Sequence, residues 1–314
     1  MTSDSQSAST LLLVRPAAFA ANPETAASNS FQSTEPEAAR QLVSRTALEE
    51  FDALTGALRT AAIETIVAAD TPVPPKPDAI FPNNWFSTHA DGTVVLYPMM
   101  APSRRLERRL EVIEALEAEH GFSVRRVVDL SAQEASGRFL EGTGSLVLDR
   151  VNRVAYACLS PRTDPAALED FGRRLAYQVI AFRAFDHQGI AIYHTNVMLS
   201  LGSEFAIICS DCIEERSRAG VLRSLRAARA SIIEVSRAQM ERFACNVLEV
   251  RTAGGEHALL MSTTAARALR CADAPPPGID RVVTADIPTI ECYGGGSLRC
   301  MLAEIFLPRF GAAG

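Results

Sequence analysis

No segment of this 314-residue chain approaches the run of about 18 apolar residues that a membrane-spanning helix requires. There is no surplus of positive charge either. Lys and Arg number 31 against 37 Asp and Glu, for a formal net charge of −6, which argues against a nucleic-acid partner. The seven cysteines, at 158, 209, 212, 245, 271, 292 and 300, are odd in number and follow no disulfide framework. "CSDC" at 209–212 is a single C-x-x-C, without the second pair or helix N-terminus that metal or redox use would want. Thiols kept reduced in a cytosol, most of them buried as small hydrophobes, are the simpler reading, and they imply a cytoplasmic protein. "TLLLVRPAAFAA" is too short for a secretory signal and is interrupted by Arg15-Pro16, so it reads as a strand that follows a frayed tail. No long Pro/Gly/Ser linker divides the chain; "TPVPPKPD" at 71–78 and "DAPPPG" at 273–278 read as loops. One domain over residues 10–314 is expected, preceded by a flexible tail at 1–9.

What is present is a folded composition, 47% hydrophobic and 22% charged, and a recurring order of elements. "LLLVRP" opens as a strand and residues 36–56 carry a helical pattern. "AIFPNNWFSTH" and "TVVLYPM" read as two strands around the turn Asp91-Gly92, followed by a helix at about 103–119 and the strand "VRRVVDL". The same order returns as "GSLVLDR", "VAYACLS", the helix from Pro165 and "QVIAFRAF". It returns again as "VMLSLG", "FAIICS", a helix near 214–228 and "SIIEVS", and once more as "NVLEVR", "ALLMS", "TTAARALR" and "RVVTAD". This is a repeating ββαβ unit. Such a unit cannot bury its apolar face alone, so copies must pack on one another. A ring of them, an α/β fold with loops converging on a central channel, is the expected architecture. The basic run "SRRLERRLE" at 103–111 reads mainly as a solvated helix face.

The chemistry-bearing residues start from "YGGGSLRCMLAE", where three glycines lead to Cys300. A core cysteine needs no such approach, whereas a nucleophile needs backbone that lets a substrate come close. A thiolate nucleophile also needs a base or positive neighbour. Of five histidines, His120, His187 and His257 read as surface or loop residues, and His89 as a neighbour of the site. His194 is polar at the mouth of an apolar hairpin, "IYHTNVML". Taken singly, a histidine reads more simply as structural. Glu141, before Gly-Thr-Gly, is either a turn former or a carboxylate facing the ring centre. Asn83 and Asn84, beside the only tryptophan, make a turn or offer their amides to a ligand, since unpaired burial is costly.

Taken in order, these motifs resemble the guanidine-modifying superfamily of arginine deiminases, dimethylarginine dimethylaminohydrolases and amidinotransferases. "PDAIF" with "NNW" stands where those enzymes have Pro-Asp-Ala-Val-Phe and an acidic pair. "APSRR" follows, "EGTGSLVLDR" is similar to their Glu-Gly-Gly-Asp hairpin, and "SPRTD" to its Ser-x-Arg-Thr ending. "YHTNVML" is similar to their His-x-Asp strand and "GGSLRCML" to the deiminase C-terminus. The resemblance covers residues from about 75 to the end. It implies a five-bladed α/β propeller with the site in its central channel, and no metal or organic cofactor. It also implies Cys300 as nucleophile, His194 as general acid and base, Glu141 as a carboxylate holding substrate nitrogens, and Arg104 and Arg162 gripping a substrate carboxylate.

Three positions depart from that pattern. Asn84, with Asn83 beside it, replaces a carboxylate, as does Asn196 in the His-x-Asp motif and Gly144 at the end of the glycine hairpin. A buried cation without paired carboxylates is expensive, while a neutral ureido oxygen can accept from an asparagine N–H. The substitutions suit a ureido substrate, and the chain resembles the citrulline-utilisation hydrolase branch. The expected reaction is hydrolysis of citrulline to ornithine, carbon dioxide and ammonia through a covalent intermediate on Cys300. The alternatives are an arginine deiminase or methylarginine hydrolase, and a non-catalytic amino-acid-binding propeller. The expected partner is a small amino-acid substrate, with no nucleic acid and no membrane, and the protein a monomer or homodimer.

Overall fold

A computed structural model describes residues 5–270 and 274–311. Its strands form five three-stranded sheets of one design. In the second blade Phe86–Thr88 pairs antiparallel with Thr93–Leu96, which pairs parallel with Arg126–Asp129. The third blade repeats this with Val147–Asp149, Val154–Cys158 and Gln178–Phe182. The fourth uses Leu199–Leu201, Phe205–Ile208 and Ser231–Glu234, the fifth Leu248–Arg251, His257–Ser262 and Arg281–Ala285. The parallel step needs a crossover, and a helix supplies it, as Pro165–Leu175 does in the third blade. The first blade is shared between the two ends of the chain. Thr10–Arg15 pairs parallel with Glu64–Ala69 across the helix Arg40–Thr60, and antiparallel with Ala303–Ile305. The last strand thus closes the ring on the first. These are the five blades expected of a propeller.

The helices face the gaps between blades. On Arg40–Thr60, Val43, Ala47, Phe51, Leu54 and Leu58 are buried at a spacing that returns to one face every turn. They join Leu11, Leu13, Ile287 and Leu302 in one cluster, each large side chain stabilising by about 1.5–3 kcal/mol.

Three expectations are corrected. "AIFPNN" is not strand: Pro82–Asn84 is a short helical turn, because Pro82 opens a turn at its first position, and the strand begins only at Phe86. The helix expected over 103–119 is two, Pro102–Arg105 and Leu110–Ala118, and between them Glu107 is buried beside Arg104, so this part of the basic run is not a solvated face. Within the tail expected at 1–9, Gln6, Ser7 and Ala8 are tied down while Ser9 is exposed, and residues 1–4 lie outside the described residues. Gln6 Nε2 donates to the Leu148 carbonyl at 3.0 Å, Ser7 Oγ to Glu249 at 2.7 Å, and the Ala8 carbonyl accepts from Arg251 N at 2.8 Å. Gln6 lines the end of the central channel together with Arg150, Asn196 and Arg299. No helix among the described residues is long and apolar enough to cross a membrane.

Candidate active site

Each blade's inner strand is entered through a tight turn, and these turns meet at the axis. They are Pro82–Asn84, Gly142–Ser145, Thr195–Val197, the loop ending in Cys245-Asn246, and Leu298–Met301. Two or three residues before each strand stand Asn84, Gly144, Asn196, Asn246 and Cys300. The pseudo-fivefold design therefore brings residues far apart in sequence to one ring. Asn196 Nδ2 points at Cys300 Sγ from 3.5 Å and Asn246 Nδ2 from 3.3 Å. Asn246 is itself held, donating to the Asn196 carbonyl and accepting from Arg299 N. Amide N–H groups aimed at a sulfur suit a thiolate, which can only accept.

A narrow cleft opens on the other side of Cys300, lined by His194, Asn84, Arg104, Arg162, Asp78 and Tyr193 together with Thr25, Asn29, Phe81, Gly294 and Gly296. His194 Nε2 lies 2.8 Å from Glu141 Oε2, and Glu141 Oε1 accepts from Met100 N. Glu141 thus stands behind the imidazole. Its carboxylate can only accept, so Nε2 carries the proton and Nδ1 presents the lone pair. Burial pushes His194 down to about 4; Glu141 opposes this, and Arg162 and Arg104 add to it. The ring is neutral near pH 7 and able to take a proton. Burial would raise Glu141, yet Arg162, the hydrogen bond with His194 and Arg104 outweigh it and hold it below the usual carboxylate range.

Gly144 explains one departure from the guanidine-enzyme pattern. A Cβ there would lie 2.5 Å from Asn84 Nδ2 and 2.6 Å from His194 Nδ1. The space where a side chain would be belongs to those two nitrogens. Near Cys300, Gly295 takes φ +61° to end the helix Pro288–Gly294, and a Cβ on Gly294 would strike the Phe81 ring at 2.7 Å.

Arg104 is buried, and its fork grips Glu107 with two bonds of 3.0 Å, while Nη1 donates to Asn84 Oδ1 at 2.9 Å. Arg162 donates to Ser28 Oγ and the Thr25 carbonyl, lies 3.5 Å from Glu141, and has Tyr193 beneath its guanidinium at 4.9 Å. Asn84 Nδ2, both polar atoms of Asn83 and Asn196 Oδ1 are buried without a partner among the described residues. Asn83 is absent from the lining of the cleft. His89 is buried in the second blade, its Nε2 3.2 Å from Ser87 Oγ, and also does not line the cleft. Among the described residues no group of three or more His, Cys, Asp or Glu side chains is placed to hold a metal ion. Cys158, Cys209, Cys212 and Cys245 are buried and Cys292 is exposed; Cys271 lies outside the described residues.

Sequence reasoning missed Glu107 and Asn246. Glu107 was hidden in a run of charges. Asn246 had a signal, since Asn-Val before an inner strand occurs at both 196–197 and 246–247.

Residues 15–307 match the family model described as N,N dimethylarginine dimethylhydrolase, eukaryotic. The chain belongs to that family. It is accordingly a hydrolase of carbon–nitrogen bonds other than peptide bonds, within the guanidino-modifying enzymes, which sets aside a non-catalytic binder. No curated protein sequence matches it. Its fold is similar to that of ArgZ, an arginine dihydrolase of the cyanobacterial ornithine–ammonia cycle, with TM-score 0.72 and 18% identity over 96% of this chain and 41% of ArgZ. AgrE bound to L-arginine is similar at TM-score 0.72 and 16% identity, over 97% of this chain and 41% of AgrE. The chain thus spans about two fifths of these two proteins. A dimethylarginine dimethylaminohydrolase carrying an S-methyl-L-thiocitrulline adduct is similar at TM-score 0.64 and 15% identity, over 95% of this chain and all of that one.

Proposed function

We propose that this family member hydrolyses the ureido group of citrulline to ornithine, carbon dioxide and ammonia. The observation that carries the reading is the orientation of Asn84. An arginine has only donors, so the atom facing Arg104 is the amide oxygen, and Nδ2–H is the group left for a substrate. A ureido oxygen accepts from such a donor; a guanidinium, all donors, does not.

In this reading His194 Nδ1 takes the Cys300 thiol proton and the sulfur attacks the ureido carbon. Asn84 Nδ2 donates to the oxygen as it gains charge. The carbon–nitrogen bond to the substrate side chain breaks, His194 returns the proton to the leaving amine, and an S-carbamoyl group stays on Cys300. His194 then takes a proton from water, the oxygen attacks, the carbon–sulfur bond breaks, and the released carbamate decomposes to carbon dioxide and ammonia. Glu141 orients the imidazole. Arg162, whose Nη1 has only a 3.5 Å approach to Glu141, grips the substrate carboxylate. Arg104 adds positive charge behind Asn84, and Asn196 holds the sulfur. Through its backbone carbonyl, which accepts from Thr143 Oγ1 at 3.3 Å, Asn83 ties the turn that carries Asn84 to the third blade.

A second reading, a guanidino substrate such as arginine, is favoured by Asp78, a buried carboxylate lining the cleft. ArgZ and AgrE, of similar fold, act on or bind arginine. Incubation with citrulline, arginine and methylated arginines, with products identified by mass spectrometry, separates the two. Asn84→Asp removes the donor and adds a charge partner for a guanidinium. The ratio of kcat/KM for citrulline to that for arginine should fall at least about tenfold. An unchanged ratio removes Asn84 from the head-group contact.

A further inference from the structure

Asn84 can read a ureido oxygen only while its amide keeps one of two orientations. A side-chain amide is nearly symmetric in shape, and turning it over would offer Oδ1, an acceptor, to the substrate. What prevents this is Arg104 Nη1, 2.9 Å from Oδ1. Turned over, the amide would set N–H against N–H. Arg104 is in turn kept in place by Glu107, whose two oxygens each accept at 3.0 Å. The fork is the closest hold on the guanidinium; Nη2 also approaches the Phe81 carbonyl at 3.4 Å, and two further carboxylates, Asp78 and Glu141, lie at 3.7 Å. All of these side chains are buried.

We propose that Glu107 determines the preference of this site for a ureido over a guanidino head group, acting through Arg104 on the orientation of the Asn84 amide. Glu107 is a positioning residue; it does not line the cleft that holds Cys300. Without it, Arg104 turns toward Asp78 or Glu141, and the Asn84 amide is free to present either end. A guanidinium then finds an acceptor where a ureido oxygen found a donor. The proposal rests on the reading of Asn84 given above, and adds that this reading is enforced from behind.

The experiment is a double-mutant cycle on substrate preference. Glu107→Gln replaces two acceptors by one acceptor and one donor, and should lower the citrulline-to-arginine ratio of kcat/KM about tenfold. In an Asn84→Asp background the same change should move that ratio less than about twofold, because the amide through which it acts is gone. Equal effects in both backgrounds, or an unchanged ratio with a uniform loss of kcat, would overturn the proposal. Removing one member of a buried ion pair can unfold a protein. The charge-neutral pair Arg104→Gln/Glu107→Gln avoids this and should show the same fall, since a glutamine in place of Arg104 can turn either end to Asn84. Binding of citrulline and arginine to the Cys300→Ser protein, measured by calorimetry with and without Glu107→Gln, reads amide orientation independently of turnover. If the wild type turns over only arginine, the citrulline reading fails, while a change in relative binding on Glu107→Gln still supports the relay. If relative binding does not change, the relay fails as well.

Discussion

The side of Cys300 that faces the cleft carries Arg104, Arg162, Asp78 and His194, whereas the side that faces the channel axis carries the amides of Asn196 and Asn246. Both sides are buried, yet charges line the first, while the groups that touch the sulfur on the second are neutral amides. The charged side needs a partner for each ion: Arg104 lies against Glu107 and, at 3.7 Å, Asp78, which also accepts from Asn22, and Arg162 lies against Glu141, which also accepts from the neutral His194. A buried ion without a partner costs several kcal/mol. The neutral side needs only correct orientation, which Arg299 N and the Asn196 carbonyl impose on Asn246. In the proposed reaction charge meets the substrate carboxylate, while neutral amides meet the head-group oxygen and the Cys300 sulfur.

Removing the Cys300 sulfur tests what both sides serve. Cys300→Ser should lower kcat by more than about 10²-fold with an unchanged circular-dichroism spectrum; a smaller loss would deny Cys300 its role. Gly144→Ala attacks the junction of the two sides by forcing Asn84 Nδ2 and His194 Nδ1 apart. A misplacement near 1 Å can cost about 10²-fold, so kcat should fall by that order while KM changes little; full activity would show that the two nitrogens do not work together.

The charged side should also be visible in stability. His194 is depressed to about 4 from its ordinary 6.5, so the unfolded chain binds a proton that the native one refuses. Its contribution is fully present above about pH 6.5 and is lost as pH falls toward 4. Between pH 7 and pH 5 this amounts to roughly 2 kcal/mol. Glu107, raised by burial against the pull of Arg104 to about 7, works in the opposite direction. The fair measurement is therefore the difference in urea stability between wild type and His194→Asn at the two pH values. A difference independent of pH would contradict a buried neutral imidazole. The mildest change is on the neutral side. Asn246→Ala removes one donor to the sulfur and should slow alkylation of Cys300 by iodoacetamide at pH 7 about tenfold, without altering the preference between citrulline and arginine. A changed preference would mean that the two sides are not separate.

Much of this was legible because the relevant signals are local. The alternation of strand and helix patterns outlined the blades, since a strand buries every second residue and a helix a face each turn. The turn Asp91-Gly92 was readable because Gly92 takes φ +85°. Cys300, His194, Asn84, Arg104 and Arg162 stood out in short motifs, and the structure brings them to one cleft. Asn83 and His89 read equally well, and both lie away from it. Nothing in "PNNW" tells which of two adjacent asparagines a short helical turn aims at the axis.

By itself the amino-acid order determined the repeated ββαβ unit, the superfamily and the kinds of group available for chemistry, because propensity, periodicity and motif act over a few residues. Only the tertiary structure decided which groups meet. Ring closure through Ala303–Ile305 and Thr10–Arg15 fixes the Cys300 turn on the first blade and sets it against the turns of Asn196 and Asn246. The packing that buries Glu107 turns a residue of a basic run into the clamp on Arg104. Orientation of the Asn84 amide depends on which atom lies opposite it, and that atom belongs to a residue 20 positions away. Such a relation has no local trace in the sequence, because it exists only once the chain has folded around it.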